Sequence, residues 1–248
     1  MKYMRCFFVF LVLLLFVVSG MTEAFAADTG FSTVPLSSEE ADAVIKNVNV
    51  SLLTEEPKKS AINCFDVDEN GNIAIGSGKS LNQTVCIYTS DGVFQYGYRF
   101  ECEGTFGVAF GNGVLNIYLV RSDVALAVDR EGEIRSALRI SDTVENNSYW
   151  NKTVFATERQ LGETTYVIKN DMGFLNVFAS SYSQLAVIEA GAERLIYDVN
   201  GAQLVGTVVL ACVVVLFVGA VLAVMIRQFV HLKRPKADQN ATAGSATE

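Results

Sequence analysis

Leu204 to Ile226 is an unbroken run of 23 residues without a charge, proline, asparagine or glutamine. In hydrocarbon every backbone polar group must be satisfied within the segment, so one isolated run of this kind has a single stable form, the α-helix. That helix is about 34 Å long. It exceeds the ~30 Å hydrocarbon core and spans it with some tilt. Arg227, Lys233, Arg234 and Lys236 follow at once. Basic flanks mark the cytoplasmic side. The expectation is a single-pass cell-membrane protein with its N-terminal domain outside and a short basic tail, residues 227–248, inside. The only histidine, His231, lies in that flank, and the Ala/Thr/Gly/Asn-rich end of the tail reads as disordered. Gly219 and Ala220 with Ala223 form a small-residue face that can pair helices.

The other end carries a shorter apolar run. Lys2 and Arg5 precede Cys6–Val18, Ser19-Gly20 break it, and Ala24 and Ala26 supply small residues. Thirteen apolar residues reach only about 20 Å as a helix, so residues 1–26 read as a secretory signal peptide cleaved after Ala26. A retained signal-anchor is the alternative.

Residues 27–203 are enough for one ordinary domain. They hold 24 Asp/Glu against 13 Lys/Arg. That balance disfavours nucleic acid and anionic head groups as partners. Within the N-terminal segment 27–60, Ser37 and Glu40 form a capping-box pair ahead of Ala41–Asn47, which predicts one short helix. Asn49–Leu53 suits an added strand.

Residues 61–203 repeat one pattern three times. Phe65–Ile75 is followed by Thr84–Phe94, Val108–Tyr118 by Val124–Ile134, and Tyr166–Phe178 by Gln184–Leu195. Each copy reads strand, glycine turn, strand, loop, strand, glycine turn, strand. The turns are Asn70-Gly71, Asn112-Gly113 and Asp171-Met172-Gly173, then Asp91-Gly92, Glu131-Gly132 and Ala190-Gly191. Such pairs between apolar runs are strong hairpin signals because the turns need positive φ. The expected fold is all-β: three four-stranded antiparallel meanders.

The first copy, apolar-Asp-x-Asp-x-x-Gly-x-Ile-x-Ile followed by Val-x-Ile-Tyr-x-x-Asp-Gly, resembles the repeat of NHL-type and related β-propellers. The likeness is best in 61–100, weaker in 106–140 and weakest in 164–199. It implies fold only, a partial β-propeller; such families bind proteins, nucleic acids or small ligands through varied loops, and no catalytic residue carries over. Three blades fall short of the usual four to eight. The stack is then open, or completed by further chains, or packed as a sandwich, with residues 31–59 and 141–163 covering exposed edges.

Asp66, Asp68 and Asn70 match the first half of a calcium loop, but the twelfth position is Ser77 rather than an acid. A plain hairpin turn is expected, with no metal. Cys64, Cys86 and Cys102 lie in the exported part, where a disulfide is permitted; Cys64–Cys86, Cys64–Cys102 and three reduced thiols are the options. Trp150 with Tyr149 serves either as a partner contact or as the anchor of its insertion. Asn82, Asn146 and Asn151 sit in glycosylation sequons. The exported part has no histidine, hence no Ser-His-Asp set or Cys/His metal cluster. No cofactor is expected. The reading is a non-catalytic binding or assembly module whose partners are the membrane and another membrane or extracytoplasmic protein, or a second copy. A sensory or accessory subunit is the alternative, and an exported hydrolase ranks last.

Overall fold

A computed structural model describes residues 29–232. The expected signal peptide with its cleavage site, and the tail beyond Leu232, lie outside the described residues. The chain divides into two units, one holding the sheets and the other holding residues 170–180 with the C-terminal helix.

The first unit contains three antiparallel sheets of five, five and four strands, numbered along the chain. The first sheet has the order β2 (Ser51–Leu53), β6 (Phe94–Glu101), β5 (Asn82–Tyr88), β4 (Ile73–Lys79), β3 (Ile62–Val67). The second runs β1 (Thr33–Pro35), β10 (Ile134–Ile140), β9 (Val124–Val128), β8 (Leu115–Leu119), β7 (Phe106–Phe110). The third runs β11 (Glu158–Leu161), β12 (Thr164–Lys169), β13 (Gln184–Glu189), β14 (Ala192–Asp198). Each is a meander. β1 and β2 add to the outer edges of the second and first.

One local device recurs at three hairpins. In Asp68–Asn72 the first N–H donates to the last carbonyl (2.9 Å) and Gly71 N–H returns to Asp68 O (3.0 Å). Thr89–Val93 and Asp129–Glu133 repeat both bonds. In each, the first side chain accepts from the fifth N–H: Asp68 Oδ1 at 2.7 Å, Thr89 Oγ1 at 3.2 Å, Asp129 Oδ1 at 2.8 Å. The fourth residue has φ of 78°, 80° and 91°, where only glycine sits without strain. A short acceptor followed three residues later by glycine therefore writes the turn locally.

Strand alternation sends side chains to two faces. Cys64, Ala74, Val85, Ile87, Tyr98 and Phe100 meet Phe106, Val108, Leu115, Ile117, Leu126 and Val128 between the first and second sheets. The Phe100 and Phe106 rings touch edge-on at 5.1 Å. The first sheet's other face carries Phe65, Ile75 and Tyr88, and Tyr88 meets Tyr197 of the third sheet at 5.9 Å. The second sheet's remaining face, with Tyr118 and Ile140, is covered by Phe31, Trp150 and Val154. The stacking order is thus third, first, second, then a helical layer.

That layer is α2 (Val144–Tyr149) with a π turn over Trp150–Val154. The other helix of the first unit, α1 (Ser38–Val48), begins three residues before the expected Ala41. Its capping box is present: Ser37 N–H donates to Glu40 Oε2 (3.0 Å) and Glu40 N–H to Ser37 Oγ (3.3 Å).

The three antiparallel sheets are not closed into a propeller. One expectation needs correction, the frame of the third copy: residues 173–178 form a 3₁₀ turn, not a strand. Its missing strand is β11, inside the segment read as an insertion. The two-residue Gly162-Glu163 turn, with Gly162 φ 60°, joins β11 to β12.

In the second unit, α3 spans Asn200–Leu232, four residues more at its start than the apolar run. Asn200–Phe229 is long and apolar enough to cross a membrane, its most apolar 18-residue stretch having a mean hydropathy of 3.2. Met172 is buried there, and Thr207 Oγ1 lies 3.9 Å from its Sδ.

Candidate binding cleft

The turn ends of the first and second sheets border a cleft of about 870 Å³. One wall is the β3 end and the Asp68–Asn72 turn, with Gln95, Tyr96 and Tyr98 from β6. The opposite wall is the β7–β8 turn with Asn112, completed by Arg130 from the Asp129–Glu133 turn. Gly30 and Tyr149 form part of the rim. Two of the three five-residue turns reach the lining, Asp68–Asn72 and, through Arg130, Asp129–Glu133, because they stand at one end of adjacent meanders.

Asp66 and Asp68 reach this site but do not converge as metal ligands. Asp66 Oδ1 is paired with Arg159 Nε at 2.8 Å, and its Oδ2 accepts from Phe110 N–H at 2.8 Å. Asp68 Oδ1 accepts from the N–H groups of Asn70 and Asn72, and its Oδ2 from Asn72 Nδ2. Asn70 itself stands exposed at the turn tip. Among the described residues no group of three or more His, Cys, Asp or Glu is placed to hold a metal.

The phenols of the cleft are structural donors. Tyr98 OH donates to Asp129 O (2.7 Å) and Tyr118 OH to Thr29 O (2.7 Å). Burial pushes both above the ordinary tyrosine value because the phenolate is poorly solvated there. Burial also raises Tyr96, with Arg130 lying 5.3 Å over its ring and pulling the other way. Gln95 Nε2 donates to Asn72 Oδ1 at 2.8 Å, tying the two parts of one wall together.

The remaining sequence-selected residues are dispersed. Cys64, Cys86 and Cys102 are free thiols in the structure, one of the options open in the sequence. Cys64 faces the second sheet beside Gly76, whereas Cys86, paired with Ile75, points to the other face. A bond cannot cross the sheet between them. Burial raises all three thiols, Cys86 to about 11. Trp150 anchors the helical layer: it stacks on Phe155 at 5.6 Å and meets Phe31 at 4.7 Å and Tyr118 at 5.8 Å. Tyr149 packs edge-on against Phe31 at 4.6 Å while lining the cleft. Asn146 is buried, its amide bonded to both polar groups of the Ser32 backbone and to Ser141 O, so that sequon is closed. Asn82 and Asn151 are exposed.

Sequence reasoning missed Arg159, Tyr96, Gln95 and Arg130. The three turn signals were present, and aligning them would have placed Arg130 and Glu69, both on the cleft lining, at equivalent turn positions. Nothing local marks Arg159 as the partner of Asp66. No family model and no curated protein matches the chain.

Proposed function

We propose that this chain is a membrane-tethered binding module that works outside the cytoplasm and receives an extended polar segment of another extracytoplasmic protein in the cleft. The cleft is the observation that carries this reading. Its tips present amide side chains, Asn70 and Asn112, which both donate and accept and so match a peptide backbone. Its carboxylates Asp66 and Asp68 are committed to protein donors, which leaves them poor candidates for hydrolytic acid–base work. Tyr96 is capped by Arg130 and Tyr149 is packed on Phe31, so hydrogen bonding rather than ring stacking dominates recognition. The face-to-face stack of meanders supports an open, propeller-like scaffold, with the helical layer taking the place of a further blade. The apolar α3 supports a single-pass tether.

The test is photo-crosslinking in the native host, with a benzophenone amino acid at Asn112 and, as control, at the exposed Leu195 of β14. A discrete protein adduct from Asn112 that Asn70→Arg abolishes is expected. No adduct at Asn112, or the same adducts from Leu195, overturns the reading.

A further inference from the structure

The segment between β12 and β13 belongs with α3, not with the sheets. From Met172 to Ile188 it and the following strand contain no charged residue. Its 3₁₀ turn exposes two large apolar side chains: Phe174 is 84% exposed and Val177 79%. Leaving both in water forgoes the gain from burying them. Three residues apart on one turn, they make a small apolar patch beside the apolar helix.

The loop is held against the membrane helix at two heights. Asn200 Nδ2 donates to Asp171 O at 2.8 Å, and Thr207 Oγ1 contacts Met172 Sδ at 3.9 Å. Thr207 lies about 10 Å along the axis from Asn200 and inside the apolar run that begins at Leu204. The loop therefore lies beside the first turn of the span. Its backbone is also closed on itself. Asn176 Oδ1 accepts from Met172 N–H at 3.0 Å, Asn176 Nδ2 donates to Asn170 O at 3.4 Å, and Leu175 and Ala179 N–H return to Met172 and Asn176 carbonyls. Internal satisfaction of this kind is what a non-helical segment needs where water is scarce.

We infer that residues 172–178 form a second membrane contact, a wedge whose Phe174 and Val177 enter the bilayer interface on the ectodomain side, next to α3. The occupant of this apolar surface is lipid. The argument is its continuity with the apolar span, and it rests on the reading that α3 crosses the bilayer. A helix and a wedge together restrict rotation and tilt of the chain at the surface, which a lone helix does not.

The experiment uses full-length Phe174→Trp, an exposed aromatic exchange, in phosphatidylcholine vesicles, compared with the unsubstituted protein to remove the Trp150 background. Lipid brominated near the head of its acyl chains and iodide on both sides of the membrane are the quenchers. Bromolipid should remove more than half of the added emission and iodide little of it. Added emission quenched by iodide and untouched by bromolipid overturns the wedge. Alkaline extraction separates the two premises. Protein that stays in the vesicles while showing iodide quenching refutes the wedge alone, whereas release from the vesicles refutes the spanning helix and the wedge with it.

Discussion

Asp66 on β3 and Arg159 on β11 form an ion pair across two sheets, Oδ1 to Nε 2.8 Å, with both side chains about 15% exposed. The same carboxylate takes Phe110 N–H of the second sheet, and the guanidinium lies 5.1 Å over the Phe65 ring while donating to Phe65 O and Thr153 O. Three sheets and the π turn meet in one bonded cluster. Removing one charge strands the other, and a largely buried charge without its partner is costly. Arg159→Ala should cost about 3 kcal/mol and lower the melting temperature by roughly 6–12 °C, measured on detergent-solubilised protein. Asp66→Ala in the Arg159→Ala background should add much less than it does alone; additive losses would show that the pair is not coupled.

Gly76 marks a different constraint. A Cβ there would lie 2.4 Å from Cys64 Sγ and 2.8 Å from the Phe106 ring. Gly76→Ala should destabilise by about 1–3 kcal/mol through overpacking. Cys64→Ala opens space at that point, so the double variant should recover part of the loss. Thermal melts of the four proteins decide it, and a double variant no better than Gly76→Ala would remove Cys64 from the account.

Acid should weaken the turns. Asp129 is desolvated, which alone would raise its pKa, but N–H donation from Glu133 and the pairing with Arg135 outweigh this and leave it below the ordinary 3.8. A depressed folded pKa contributes stability that is complete above the unfolded value and is lost as pH falls through the folded one. The melting temperature should drop as pH falls past the ordinary aspartate value. Asp129→Asn should start lower at neutral pH and show a flatter acid limb.

The three thiols of the sheet unit should be chemically silent. Burial keeps Cys64, Cys86 and Cys102 protonated, and reactivity requires the thiolate. Iodoacetamide at neutral pH should leave all three unmodified by mass until the protein is denatured, and electrophoretic mobility should not depend on reductant. A native Cys64–Cys86 peptide cross-link would contradict the strand faces described above, and a Cys64–Cys102 one would contradict the free state of both thiols.

The parts legible in the sequence were those written within a few residues. Asp68, Thr89 and Asp129 each precede a glycine by three, and that spacing alone forms the hairpin turns. The Ser37–Glu40 box spans one helical turn. The third meander was misread because Phe174–Phe178 looks apolar enough for a strand, while Glu158–Leu161 looks too polar. Pairing with β12, rather than hydrophobicity, makes the latter a strand.

By itself the sequence determined the apolar helix, the capping box and the positions of the hairpin turns in the first two copies, since each depends on contacts between neighbours in the chain. Only the tertiary structure decided that Arg159 answers Asp66, that Cys64 and Cys86 face opposite ways, and that the turn ends frame a cleft. Those outcomes depend on strand register and on which sheet packs against which. A shift of one residue would turn every side chain to the other face, and no short stretch of sequence records that choice.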